Sequence, residues 1–226
     1  MTPLVLLSGM NCTADLWTGC GFDDAVTPVL DVPAMDAQVE RLLESLPDRF
    51  LLGGLSLGAI VAMAMILRAP ERVAGLFLVS TNAKAPTAAQ RAGWDDWLRQ
   101  LDAGVSPVDL QGGLLPMLLS ASAVRPDLVA RTLAMGEETG AEVLHMQLRL
   151  QGTRVDLLPQ LPAVTAPTLV VSGAQDAICP PSFHTEIADA IPGAELVTLD
   201  GGHLLPLEQP EAFGEVVGAW RSRLDR

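Results

Sequence analysis

The stretch that most restricts what this chain can become is Arg49-Phe50-Leu51-Leu52-Gly53-Gly54-Leu55-Ser56-Leu57-Gly58-Ala59-Ile60. No charged residue occurs from Phe50 to Leu67, a run long enough to be scored as a membrane span. Three glycines and a serine cluster at one point within it, however, and divide it into a short strand over 50–55 and a helix over 57–68. A strand that is apolar throughout belongs inside a parallel sheet covered on both faces. The Gly-x-Ser-x-Gly pattern has a mechanical meaning at such a junction. Ser56 sits on a strained turn, and Gly54 and Gly58 let neighbouring backbone pass without a Cβ clash. Its hydroxyl is then exposed beside the first N–H groups of the helix.

The rest of the chain alternates in the same way. Strands are expected over 4–7, 26–30, 73–80, 168–172 and 195–199, which with 50–55 makes six. Helices are expected over 35–46, where Val39, Leu42, Leu43 and Leu46 share one face, and over 182–191 and 209–224. This alternation predicts an α/β fold with a mostly parallel sheet and right-handed crossovers. Between about Thr81 and Leu161 the character changes: helical patches over 88–101, 127–135 and 142–150 are separated by Gly and Pro, with no convincing strand. The expected organisation is therefore a core formed by 1–81 and 162–226, interrupted by a helical insertion over 82–161. A chain of 226 residues with 49% hydrophobic content fits one such domain.

The formal charge of −13 opposes nucleic acid or an anionic membrane as a partner, since either would need clustered Lys and Arg. Stable membrane insertion is not expected. The N-terminal Met1-Thr2-Pro3-Leu4-Val5-Leu6-Leu7 has no basic n-region and its apolar run is short, so a cytoplasmic location is the expectation. Cys12, Cys20 and Cys179 are odd in number and lack metal-ligand spacing, which reads as free thiols and indicates no zinc site.

A serine hydroxyl is a poor nucleophile at neutral pH and needs a base, itself oriented by a carboxylate. Of the three histidines, His203 in Asp200-Gly201-Gly202-His203-Leu204 follows the last strand and emerges at the carboxyl edge of the sheet, where active groups collect in open α/β folds. His145, amid the insertion's apolar residues, reads as a packing or pocket-lining group, and His184, after Pro180-Pro181-Ser182, as a surface one. Asp176 follows the strand over 168–172 and reaches the same edge. Its rivals are Asp200, which can simply start the turn that carries His203, and Asp156, where the insertion rejoins the core. The order Ser56, Asp176, His203 is the one expected with a serine on a strand-to-helix turn. An oxyanion hole needs two backbone donors. Leu57 N–H, just after the serine, and Met10 N–H, after the first strand, are the candidates.

With these residues in place the chain resembles the α/β-hydrolase superfamily, and within it the small cofactor-free esterases, enol-lactonases and carbon–carbon hydrolases. The resemblance spans nearly the whole chain: Leu6-Leu7-Ser8-Gly9 with Trp17 downstream, Gly54-Leu55-Ser56-Leu57-Gly58, Pro167-Thr168-Leu169-Val170-Val171-Ser172-Gly173 leading to Asp176 and Pro180, and Gly202-His203 followed by Glu208 and Pro210. Where the family often has His-Gly after the first strand, this chain has Ser8-Gly9. The resemblance implies a Ser56–His203–Asp176 triad, a helical cap built from the insertion, and no cofactor. The expected activity is hydrolysis of a small to medium neutral carboxylic ester or lactone through an acyl-enzyme. The alternatives are carbon–carbon bond hydrolysis on the same triad and a non-catalytic, receptor-like binding protein of this fold. The insertion carries more apolar surface than a solvated helical segment needs, and Trp94, Trp97, Met117, Leu118 and Met146 are its expected substrate-pocket residues.

Overall fold

The computed structural model describes residues 2–224. Five parallel strands, β1 (Leu4–Leu7), β2 (Phe50–Leu55), β3 (Val73–Val79), β4 (Thr168–Gly173) and β5 (Glu195–Leu199), lie side by side in that order. The register runs Leu6↔Gly53, Leu52↔Leu76, Leu78↔Val170 and Val171↔Val197. Every residue of β2 is buried, as its unbroken apolar sequence requires. The expected sixth strand over 26–30 does not form. Val26 alone bridges to Val5, its N–H donating to Leu4 O at 2.8 Å and its carbonyl accepting from Leu6 N at 2.9 Å. Pro28 has no N–H with which to continue the ladder, and Val29 is left 55% exposed.

The two faces of the sheet are covered by different chemistry. On one, α1 (Met35–Ser45), α2 (Leu57–Arg68) and α6 (Pro181–Ala190) bury aliphatic residues such as Val39, Leu42, Met63 and Ile187. On the other, α8 (Pro210–Leu224) and the turn at Ala14–Trp17 close an aromatic cluster around Phe77. The Phe77 ring lies 6.2 Å from Phe213, 6.1 Å from Trp220 and 6.5 Å from Trp17, each edge-on, a geometry that adds to plain area burial. The short helix α7 (Leu205–Glu208) precedes α8.

Between β3 and β4 run α3 (Ala88–Asp102), α4 (Pro107–Leu118) and α5 (Pro126–Gly152). Thr87 and Gln90 form a reciprocal capping box that starts α3. Helix α4 is one the hydrophobic pattern did not mark, because Gly112, Gly113 and Pro116 read as breakers. Its start is nonetheless signalled by Pro107 in the first turn and by Ser106, whose Oγ accepts from Asp109 N–H at 3.1 Å. The patches expected over 127–135 and 142–150 fall in two helical segments of α5 that meet at Gly140, where φ is +73°, ψ is 162° and the helix is interrupted. No helix of the described residues is long and apolar enough to cross a membrane.

Candidate active site

Ser56 joins β2 to α2 with φ 52° and ψ −115°, a conformation that strains any residue with a Cβ. The surroundings hold it there. Its N–H donates to Val79 O at 3.0 Å, while its carbonyl accepts from Ile60 N at 3.1 Å and from Thr81 Oγ1 at 3.0 Å. The flanking glycines are explained by contact: a Cβ on Gly54 would lie 2.6 Å from Ala59 N, and one on Gly58 would overlap the Leu7 carbonyl. The first turn of α2 is therefore pressed against β1 and β2 with no room for a side chain.

Past the ends of β4 and β5, the loops bring Asp176 and His203 together. His203 Nδ1 lies 3.1 and 3.0 Å from Asp176 Oδ1 and Oδ2, and both side chains are buried. Asp176 Oδ1 also accepts from Ile178 N–H at 2.9 Å and Cys179 N–H at 2.8 Å. Burial by itself would raise the Asp176 pKa. The adjacent His203 and these two N–H groups outweigh it and hold the carboxyl below its ordinary value. An ionised carboxylate here fixes the imidazole proton on Nδ1 and leaves Nε2 as the acceptor. Glu208, also buried, holds the turn carrying His203: its carboxylate accepts from Gly202 N–H at 3.1 and 3.0 Å, and from Ser120 Oγ at 2.6 Å.

Ser56, His203 and Met10 line one cavity of about 450 Å³. No hydrogen bond joins Ser56 Oγ to His203 in this structure, a contact that in hydrolases often tightens only around substrate. Among the described residues, neither Met10 N–H nor Leu57 N–H donates to a protein acceptor. The loop bearing Met10 is fixed from both sides. Ser8 Oγ donates to Thr13 O at 2.9 Å and accepts from Trp17 Nε1 at 3.1 Å, and Asn11 Nδ2 donates to Pro107 O at 3.1 Å and Gln111 Oε1 at 3.0 Å across to α4. Trp94, Trp97, Met117 and Leu118 line the same cavity, so α3 and α4 form its far wall. Met146 does not line it. Leu144 and Leu148 pack inward with Leu110, and Met146, two residues from each, lies on another side of the helix.

The sequence pattern of the alpha/beta hydrolase family matches residues 13–216. The chain belongs to that family. It is similar to a polyketide synthase of Burkholderia thailandensis, 31% identical over an alignment of 216 positions that covers 90% of this chain and 10% of the synthase, so it spans a tenth of that protein. A pimeloyl-[acyl-carrier protein] methyl ester esterase of Nitrosomonas europaea is 29% identical over 191 residues, covering 80% of this chain and 74% of the esterase. Among solved structures, a thermophilic esterase from Thermogutta terrifontis with malate bound superposes with a TM-score of 0.90 at 25% identity, over 99% of this chain and 90% of that one.

Several residues of this alpha/beta hydrolase sit where the pattern did not place them. His184, expected at the surface, is fully buried, with Nε2 accepting from Thr81 N–H at 3.0 Å. Burial pushes its pKa down to about 4, so the ring is neutral at pH 7. Because Thr81 Oγ1 in turn donates to the Ser56 carbonyl, His184 supports the elbow from behind. His145 lies 3.6 Å from Asp102 and away from the cavity. Of the rival carboxylates, Asp200 accepts, among the described residues, only from exposed Gln175, and exposed Asp156 accepts from Leu158 N–H. Ligand atoms of Asp176, Cys179 and His203 lie within 4.8 Å of one another. Burial, then Asp176, pushes the Cys179 thiol up to about 12, which keeps it protonated at neutral pH in the protein alone.

The residue that sequence reasoning missed is Arg154. It is 4% exposed, lines the cavity, and lies 5.8 Å from the Trp94 ring. Nothing in Gly152-Thr153-Arg154-Val155-Asp156 marks it, since an arginine beside an aspartate ordinarily reads as a solvated pair.

Proposed function

We propose that this alpha/beta hydrolase is a serine enzyme that cleaves a small or medium-sized carboxylic ester or lactone. The observation that carries the reading is the convergence on one cavity of a serine held at positive φ and a histidine paired to a buried carboxylate. In this mechanism His203 Nε2 takes the Ser56 proton as Oγ attacks the acyl carbonyl, and returns it to the leaving oxygen as the tetrahedral intermediate collapses. His203 next draws a proton from water, which attacks the acyl-enzyme and releases the acid and Ser56. Asp176 stabilises the imidazolium formed in each half-reaction. Met10 and Leu57 N–H groups, free of protein acceptors, receive the developing oxyanion. Residues 82–161 act as a cap whose α3 and α4 bound the acyl or alcohol pocket with Trp94, Trp97, Met117 and Leu118. A cavity of about 450 Å³ favours short and medium acyl groups over long-chain lipids. The esterase names of similar proteins support the same reaction class.

The test is covalent labelling with a fluorophosphonate followed by peptide mass spectrometry, alongside turnover of 4-nitrophenyl esters and lactones. An adduct on Ser56 with ester turnover is expected. An adduct on Ser8 or Ser172, or binding without turnover, would refute the assignment.

A further inference from the structure

Arg154 is a cation without a counter-charge. Among the described residues it is the only Lys or Arg lining the cavity, and no Asp or Glu lines it. Its hydrogen bonds go to neutral groups: Nη1 donates to Gln151 Oε1 at 3.0 Å, and Nη2 to Asn82 Oδ1 at 2.9 Å and Lys84 O at 2.7 Å. Nε–H is buried with no partner, and one hydrogen of Nη1 is unused. The anionic candidates nearby are otherwise engaged. Asp176 is paired to His203, Glu186 to Lys84 at 2.6 Å, and the Cys179 thiol is protonated at neutral pH. Arg91, the next cation, is spent on the Gly152 carbonyl. A buried guanidinium with no anion destabilises the fold unless something offsets it.

From this geometry we infer that the substrate carries a free carboxylate, which Arg154 receives at the end of the pocket formed with Trp94, Asn82 and Gln151. The inference deepens the hydrolase reading and rests on it: the bond cleaved at Ser56 belongs to the half-ester of a dicarboxylic acid, or to a lactone bearing a carboxylate. A single cation with most of its donors already used suits a monoanionic carboxylate. A phosphate dianion would need more donors than remain, and the net charge of −13 opposes polyanions at long range. The indole of Trp94 against the guanidinium holds the fork in place while leaving the cation available. Such a substrate departs from the neutral ester or lactone expected from the sequence.

The test compares two esters of nearly equal length, mono-4-nitrophenyl glutarate and 4-nitrophenyl valerate, on the wild-type protein and on Arg154→Met and Arg154→Lys. The wild type is expected to favour the glutarate in kcat/KM by about tenfold or more, mainly through KM. Arg154→Met brings that ratio down at least tenfold, with Arg154→Lys between the two. Free glutarate should inhibit valerate hydrolysis competitively and raise the Tm of the wild type, which tests the idea even where an Arg154 variant fails to fold. Equal wild-type rates on the two esters, absence of glutarate inhibition, or an unchanged ratio in Arg154→Met would each overturn it. Failure of the hydrolase reading looks different: neither ester turns over and Ser56 takes no fluorophosphonate, while the glutarate-induced Tm shift still reports on the anion site.

Discussion

On the sheet side of the cavity, Ser56, Leu57 and Ile60 are held by backbone. Strand hydrogen bonds, the Val79 and Thr81 contacts and two glycines without room for a Cβ fix their positions, and α2 buries most of its length. On the helical side, α3 buries no residue fully, Trp94 and Trp97 are only partly buried, and Met117 is 44% exposed. A wall built from backbone contacts cannot change without moving the sheet. A wall built from side chains on lightly buried helices can change its lining while the fold persists. The groups proposed for bond-breaking therefore lie on the first wall, and Arg154, proposed to choose the substrate, stands with the second.

The sharpest way to break this comparison is at the elbow. Ser56→Ala should lower turnover by about 10⁶-fold, by analogy with triad knockouts, with circular dichroism unchanged. A variant retaining about a hundredth of the wild-type rate would move the nucleophile elsewhere. Next comes the carboxylate. Asp176→Asn should lose up to about 10⁴-fold, because a neutral amide favours the wrong imidazole tautomer, whereas exposed Asp200→Asn should lose little. Initial rates on one ester decide it, and a reversed order of severity would make Asp176 a loop residue only.

A smaller effect concerns His184, which braces the sheet-side wall. Its folded pKa, pushed down to about 4, lies below the ordinary value of 6.5. The unfolded chain therefore takes up a proton that the folded chain refuses between those values. Stability should fall as pH drops from about 6.5 toward 4, by up to about 3 kcal/mol, with no further loss from this group below that. Asp176 works in a lower window: its carboxyl is held down in the fold, so its contribution is present above the ordinary carboxylate value and disappears as pH falls through the folded one. Tm measured against pH should slope more steeply in the wild type than in His184→Gln. Parallel curves would mean that His184 is not held neutral by burial.

The smallest effects contrast the walls directly. Gly58→Ala should destabilise by about 1–3 kcal/mol or more, since the new methyl meets the Leu7 carbonyl. Gly93→Ala in α3 meets nothing within 4 Å and should stabilise by about 0.5–1 kcal/mol through helix propensity. Urea melts of the two variants give the signs, and a shared sign would show that the walls are equally constrained.

Much of the architecture was legible in the chain because it is encoded locally. Apolar runs over 4–7, 50–55 and 168–172 have few ways to be buried, and a serine between glycines at a strand–helix junction specifies its own backbone. Val26 to Leu30 had the same apolar look, but a missing N–H at Pro28 and an edge position reduced it to one bridge. Helix α4 was hidden by residues that break helices in isolation and are tolerated where Leu110 and Leu118 can be buried. His184 and Met146 were misplaced because the side an element presents depends on what packs against it. The sequence by itself determined the elbow and the order Ser56, Asp176, His203: the strands before Ser56 and Asp176 are readable as apolar runs, and the one before His203 as an alternating segment with no buried residue. Only the tertiary structure decided that Asp176 and His203 meet at 3.0 Å and that Arg154 lies in a cavity without an acid beside it. Pairing and isolation of charges depend on distances between segments far apart in the chain, and those distances exist only after packing has set them.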